Sequence, residues 1–272
     1  MHSLVIKRLS IFSPYLYIFL FGLSFLTISR FFLSMWNFDR VTNVNGWSEI
    51  FISGLRVDIA TLSYLFVIPA LITCLMINYK NLKKIWLFFL RIWIVLSIWL
   101  LVFMEVVTPS FILEYDVRPN RLFVEYLMYP SELMNMLLSG YKIELTIVTL
   151  LSSLTLYYSW KGSAVVLNEL AMPVWYWRPL LVILVLLLGV MGARSSLGHR
   201  PLNPAMVAFS IDPLMNDLTL NSTYSMLFAV KQLQNEDDAF KYYGQMDEDE
   251  VINLVRDSTN LGLNKYFSKE FP

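Results

Sequence analysis

The chain has 272 residues, 57% of them apolar and 15% aromatic, with a mean hydropathy of +0.56. Soluble domains hold roughly 45–50% apolar residues, so the composition points away from a water-soluble globular body. Lys and Arg together number 21, as do Asp and Glu, and a formal net charge of +0 offers no basic face for nucleic acid.

A single cysteine, Cys74, lies in an apolar run. It excludes an intrachain disulfide and a cysteine zinc site, and reads as a small packed or lipid-facing hydrophobe. Two histidines, His2 and His199, are too few for a histidine-rich metal site within the chain.

Lys7 and Arg8 precede an apolar stretch that is too long for a signal-peptide core and has no small-x-small cleavage pattern before Trp36. It reads as an uncleaved first span. A hydrocarbon core of about 30 Å needs ~20 apolar residues in a helix. Five segments meet or approach that length: Ile11 to Met35, Ile50 to Ile77, Ile85 to Thr108, Ile143 to Trp160 and Pro173 to Ala193. Trp36, Trp47, Trp160 and the run Trp175, Tyr176, Trp177 suit the headgroup level. The expected fold is all-α: a polytopic, five-span membrane domain over 1–194, then an extracytoplasmic helical linker over 195–272.

Lys7 and Arg8, then Lys80, Lys83 and Lys84, then Lys161 and Arg178 fall on one side of such a domain. Arg40, and then Arg118, Arg121 and Lys142, fall on the other. This bias predicts a cytoplasmic N-terminus and an extracytoplasmic C-terminus.

The gap from Glu105 to Tyr141 is too patterned for a plain loop. Leu122, Phe123, Tyr126 and Leu127, then Leu133, Met136 and Leu137, recur at helical spacing. Two interfacial amphipathic helices over 119–139 are expected, separated by Pro130, with Ser131 capping the second. Beyond the stretch Arg194 to Pro204, one amphipathic helix is expected from Asp217 to Gln234. Its apolar face would be Leu218, Leu220, Tyr224, Leu227, Phe228 and Val230. A polar break follows, and then a helix that opens on Asp247, Glu248, Asp249 and Glu250 and closes near Arg256.

Ionisable residues within spans are expensive and count as functional candidates. Arg56 and Asp58 in GLRVDIA sit two apart, so they point to different sides of a helix. Each is expected to meet another helix or a lipid phosphate, and an interhelical clamp is an equal reading. Arg30 is expected to snorkel to the interface. In EYDVRPNRLFVEY, Glu114, Asp116, Arg118, Arg121 and Glu125 are expected to join Arg194, His199 and Arg200 in one polar cluster above the outer leaflet. It would bind an anionic phospholipid headgroup through guanidinium forks, or brace a water-side domain. No HExxH, phosphate-cradling glycine loop or GxSxG occurs, and no catalytic centre is visible.

Three stretches carry a resemblance: GLRVDIATLSYL, EYDVRPNRLFVEYLMYP and RSSLGHRPLNPAMVAFSIDPLMNDLTLNSTYS. Together they resemble the lipoteichoic acid synthase family of sulfatase-like membrane proteins, over essentially the whole chain. The resemblance implies five spans and a helical linker into an extracytoplasmic domain of the alkaline phosphatase superfamily. That domain uses a threonine nucleophile and a divalent metal, usually manganese, to move phosphoglycerol or a related headgroup from a phospholipid to an acceptor. The chain stops at Pro272, about where that domain would begin, so the nucleophile and the metal ligands have no counterparts here. The implied role is membrane anchor and lipid-side portion, with the catalytic domain in cis or in trans. A stand-alone non-catalytic membrane partner is the other reading, and a small transporter fits less well, because five spans do not divide into equal repeats.

Overall fold

The computed structural model describes residues 12–76, 80–168, 170, 175–195, 202–243 and 246–258. Among them every regular element is helical, and the protein is an all-α polytopic membrane protein. It divides by contacts into a unit ending at Ala229 and a second beginning at Val230.

The apolar runs fold into long helices because in hydrocarbon each backbone group must be satisfied within its own segment. Helix α1 spans Ser13–Trp36, α2 Phe38–Asn43, α3 Trp47–Leu75 and α4 Lys80–Tyr115. After these come α5 (Arg121–Leu127), α6 (Pro130–Gly140), α7 (Lys142–Asn168) and α8 (Arg178–Arg194), the last preceded by a short 3₁₀ turn at Trp175–Trp177. Four of these helices, α1, α3, α4 and the 3₁₀ turn with α8, are each long and apolar enough to cross a membrane. Helix α7 reaches that standard only together with α6, from which it bends by 110°. Its hydropathy is diluted by Lys142, Glu144, Lys161 and a run of Ser and Thr, yet its 27 residues extend about 40 Å.

Helix α4 is longer than the expected third span. At 36 residues it reaches about 54 Å, so Glu105 to Tyr115 continue the helix instead of opening a loop. Two short helices, α5 and α6, form over the segment where a pair is expected, with one correction. Ser131 does not cap α6: Tyr129 is the cap residue, Pro130 occupies the first turn, and the Ser131 hydroxyl donates to Glu132. Proline at that position lacks the N–H that a cap would have served.

The central helix is α1, which touches α3, α4 and α7, while α8 packs on α3 and α7 on α4. The apolar core gathers Ile18 and Leu26 of α1, Leu62 and Phe66 of α3, Leu90 and Ile94 of α4 and Val185 of α8. Cys74 is fully buried among them, a packed hydrophobe. Gly189 and Gly192 let α8 lie close on α3, since a Cβ at either would collide with Val67 or Ser63.

Pro69 lies inside α3 and has no N–H for the Leu65 carbonyl one turn earlier. The indole Nε1 of Trp93 on α4 donates to that carbonyl at 2.8 Å. The carbonyl left open by Pro69 is thus satisfied by a neighbouring helix, which in a bilayer is the available partner.

Past α8, the segment from Leu202 folds back onto the helices. A 3₁₀ turn at Pro204–Val207, helix α9 (Pro213–Leu218) and the start of α10 (Ser222–Tyr243) bury Val207, Leu214, Met215, Leu218, Leu220 and Tyr224. The single helix expected from Asp217 to Gln234 is broken at Thr219–Asn221, where the Asn221 side chain caps a new helix by accepting from the Tyr224 N–H. Leu227, expected on the buried face, is exposed. The polar break expected after Gln234 is helical to Tyr243. In the second unit, α11 (Glu248–Ser258) begins as expected on Glu248, Asp249 and Glu250.

Trp93→Phe should cost about 1–3 kcal/mol by stranding the Leu65 carbonyl. In a Pro69→Ala background α3 regains its own donor, so the same substitution should cost markedly less. Thermal unfolding in detergent of the four proteins measures this coupling, and equal costs in both backgrounds would exclude it.

Candidate functional site

Adjacent residues on a helix point about 100° apart, so Ser29 and Arg30 of α1 face different neighbours. Arg30 turns to α3 and forms a two-pronged pair with Asp58, Nη1 to Oδ2 at 2.6 Å and Nη2 to Oδ1 at 2.7 Å. The pair is almost wholly buried, at 1% and 0% side-chain exposure. The expectation that Arg30 snorkels is therefore wrong: a carboxylate one helix away holds it inside, and the guanidinium passes over Gly54, where any Cβ would collide with it. Arg30 Nε donates to the Leu218 carbonyl at the end of α9.

Ser29 turns to α4 and donates to Glu105. Glu105 also pairs with Arg118 Nη1 at 3.0 Å, both side chains being 3% exposed or less. The same carboxylate accepts the backbone N–H of Ser222, in the first turn of α10. An anion at a helix N-terminus meets unpaired N–H groups and the positive end of the dipole.

The returning segment joins the two pairs. Asn221 Nδ2 donates to Asp58 at 3.0 Å and to Thr61 Oγ1 at 2.9 Å. Arg118 Nη1 donates to the Ser222 hydroxyl, which lies 2.6 Å from the Thr108 hydroxyl. Because Thr108 spends its own proton on the Met104 carbonyl, Ser222 is the donor in that contact. Residues 218–222 thus sit between two buried ion pairs whose charges cancel.

A third ionic tie lies at the surface. Arg40, just beyond α1, pairs with Asp116 at 2.6 Å and with Asp212 at 2.8 Å. Asp212 also caps α9 by accepting from the Leu214 N–H. The Arg40 guanidinium holds the Asp116 carboxyl below its ordinary range, and the two carboxylates hold Arg40 above its own. Burial raises the carboxyl of Asp217, although it accepts the Arg118 backbone N–H.

The single cluster expected above the leaflet is split. Arg118 is buried against Glu105 and cannot reach a headgroup, whereas Arg121 pairs with Glu125 at the surface. Asp116 goes to Arg40, and Glu114 accepts from the Tyr141 hydroxyl. Arg56 and Asp58 meet different partners, as their spacing requires: Arg56 lies against Ser195, the left-handed cap of α8. Arg194 is the last residue of α8, and His199 and Arg200 lie outside the described residues. Sequence reasoning missed Glu105 and Asn221 as partners. The available signal was a balance of charges, with Arg30, Asp58 and Glu105 each embedded in apolar sequence and in need of an opposite.

Among the described residues no group of His, Cys, Asp and Glu could hold a metal ion. No protein-family model matches the chain, and no solved structure matches it.

Asp58→Leu alone should destabilise by about 3–5 kcal/mol, because Arg30 stays buried without its counter-charge, while Arg30→Met with Asp58→Leu should recover most of that loss. Additive costs in melting experiments would contradict a coupled pair. For Asp217, a raised folded-state pKa means stability that is full below the ordinary 3.8 and lost as pH rises through the folded value. Asp217→Asn should therefore be at least as stable as the parent at neutral pH and lose that advantage on acidification. A parent that gains on its variant as pH rises would reverse the assignment.

Proposed function

We propose that this chain is the membrane-embedded portion of a headgroup transferase of the lipoteichoic acid synthase kind. It would lie in a bacterial cytoplasmic membrane, with a cytoplasmic N-terminus and residues 202–229 on the outer side. One observation supports this reading: the three stretches that carry the resemblance meet in one clamp. Asp58 comes from GLRVDIATLSYL, Arg118 from EYDVRPNRLFVEYLMYP, and Asn221 and Ser222 from the block after the last span.

Taking a headgroup from a phospholipid requires a reaction centre held at a fixed height over the leaflet. A returning segment tied to α1, α3 and α4 supplies that kind of rigid base, and tethering raises the effective concentration of donor lipid. In this reading the threonine nucleophile and divalent metal belong to a domain acting in cis or in trans, and this chain contributes position. Arg118 belongs to the brace. Among the described residues of the expected headgroup set, Arg121, exposed beside Glu125, and Arg194, exposed at the end of α8, are in reach of an anionic lipid.

Two measurements test the reading. Ile211→Cys, at a fully exposed position, should react with a membrane-impermeant maleimide added outside intact cells, with buried Cys74 as the silent background. Labelling only after lysis would reverse the orientation. In native membranes, an antibody to residues 213–229 should detect a species about twice 31.7 kDa or larger, or co-purify a separate phosphotransferase chain. A lone 31.7 kDa species, in membranes that transfer no phosphoglycerol, would reject the assignment.

A further inference from the structure

Between α1, α4 and α7 a half-open cavity of about 640 Å³ runs from about one turn short of Ser29 and Glu105 toward the Lys80 end of the bundle. Its walls include Phe21 and Phe25 of α1, Ile98 and Val102 of α4, and Leu151 and Leu154 of α7. That size lies within the range of small-molecule sites, and helix bundles do not leave such space unfilled. Gly162 lines it, and a Cβ there would meet nothing within 4 Å. Elsewhere in this bundle small residues bring helices together, as Gly189 and Gly192 do. Here the missing side chain leaves room and no helix uses it.

The cavity surface is almost wholly apolar; Tyr158, Ser159 and Ser163 are in its lining, and both serine hydroxyls donate to carbonyls of α7 itself. Arg91 is not among the lining residues and stands one turn before Ile94, which is. Its Nη2 donates to the Trp160 carbonyl at 2.6 Å, and its guanidinium carbon lies 3.8 Å from the Trp160 ring centre. Its Nε is buried without a hydrogen-bond partner, as is the Nε of Arg118 in the clamp. Between 12 and 29 in α1, 85 and 104 in α4, and 145 and 168 in α7, Arg91 and Lys161 are the only charged residues, and both are positive. Lys161 sits over the Tyr157 ring and donates to its hydroxyl.

We infer that this cavity binds an anionic glycerophospholipid, with one acyl chain along Phe21, Ile98 and Leu154 and the phosphate at Arg91. The lumen excludes water-soluble anions, because its length is apolar and a charged ligand would lose hydration there without compensation. Hydrocarbon with a negative end satisfies both parts. The bound lipid belongs to the leaflet at the Lys80 end of α4, away from the clamp, so the site does not depend on the transferase reading.

The test uses the purified, delipidated chain in detergent, titrated with dioleoyl phosphatidylglycerol or dioleoyl phosphatidylcholine and read by native mass spectrometry. Phosphatidylglycerol should add as one retained molecule, about tenfold tighter than phosphatidylcholine, in line with one charge-assisted hydrogen bond. Gly162→Phe should reduce both lipids, and Arg91→Gln should bring phosphatidylglycerol down to the phosphatidylcholine level. Melting curves establish that each variant is folded, and Gly162→Leu is the smaller filler should Gly162→Phe fail to fold. Equal binding of the two lipids to the parent chain, or undiminished binding to a folded Gly162 variant, overturns the proposal.

Discussion

A charge removed from water must find its opposite or it unfolds the structure around it. Arg30, Asp58, Glu105 and Arg118 meet that condition only in the observed arrangement, and the packing of this end of the bundle follows from it. Arg30 fixes α1 against α3, and Ser29 with Glu105 fixes α1 against α4. The remaining acceptor capacity of both carboxylates is met by Asn221 and Ser222. Removing the returning segment would leave polar valences of both pairs unmet by the protein.

This explains why residues 202–229 pack with the helices instead of starting a separate module at 195. Apolar contact contributes, through Leu214, Met215 and Leu218 against Leu33, Val41 and Ile50, and through Leu220 and Tyr224 against Val57 and Ala60. Apolar contact alone would tolerate a slip of the segment along the helices. A two-pronged guanidinium–carboxylate pair does not, since its bonds depend on direction as well as distance. Hydrophobic burial supplies most of the driving force and the ion pairs set the register.

The sequence makes the long elements legible because hydrocarbon thickness sets their length and internal hydrogen bonding sets their type. The pair α5 and α6 is legible from its periodicity and from Pro130. Partners are not. A lone Arg30 near a span end has the same local sequence whether it snorkels or pairs, and only Asp58, 28 residues away, decides. Similarly, the break at Thr219–Asn221 is invisible to a hydrophobic pattern that runs on through it. It exists because Asn221 does three jobs at once, capping α10 while donating to Asp58 and Thr61. Arg118 misleads for a related reason: its neighbours Asp116 and Arg121 face water, but the turn after α4, with Asp116 in the left-handed region, sends it inward.

The two ends of the bundle solve the same solvent problem in opposite ways. At the Tyr115 end, charges are brought inside and paired within the protein, although the buried Arg118 Nε and the hydroxyls of Ser34, Thr223 and Ser225 have no hydrogen-bond partner among the described residues. At the Lys80 end, Arg91 stands near an apolar space that no side chain fills. Gly54 and Gly162 mark the difference. At Gly54 the missing side chain makes room for the protein's own guanidinium, whereas at Gly162 it makes room for nothing the chain supplies. A bundle built this way is closed where it must hold a segment in place and open where the membrane itself can complete it.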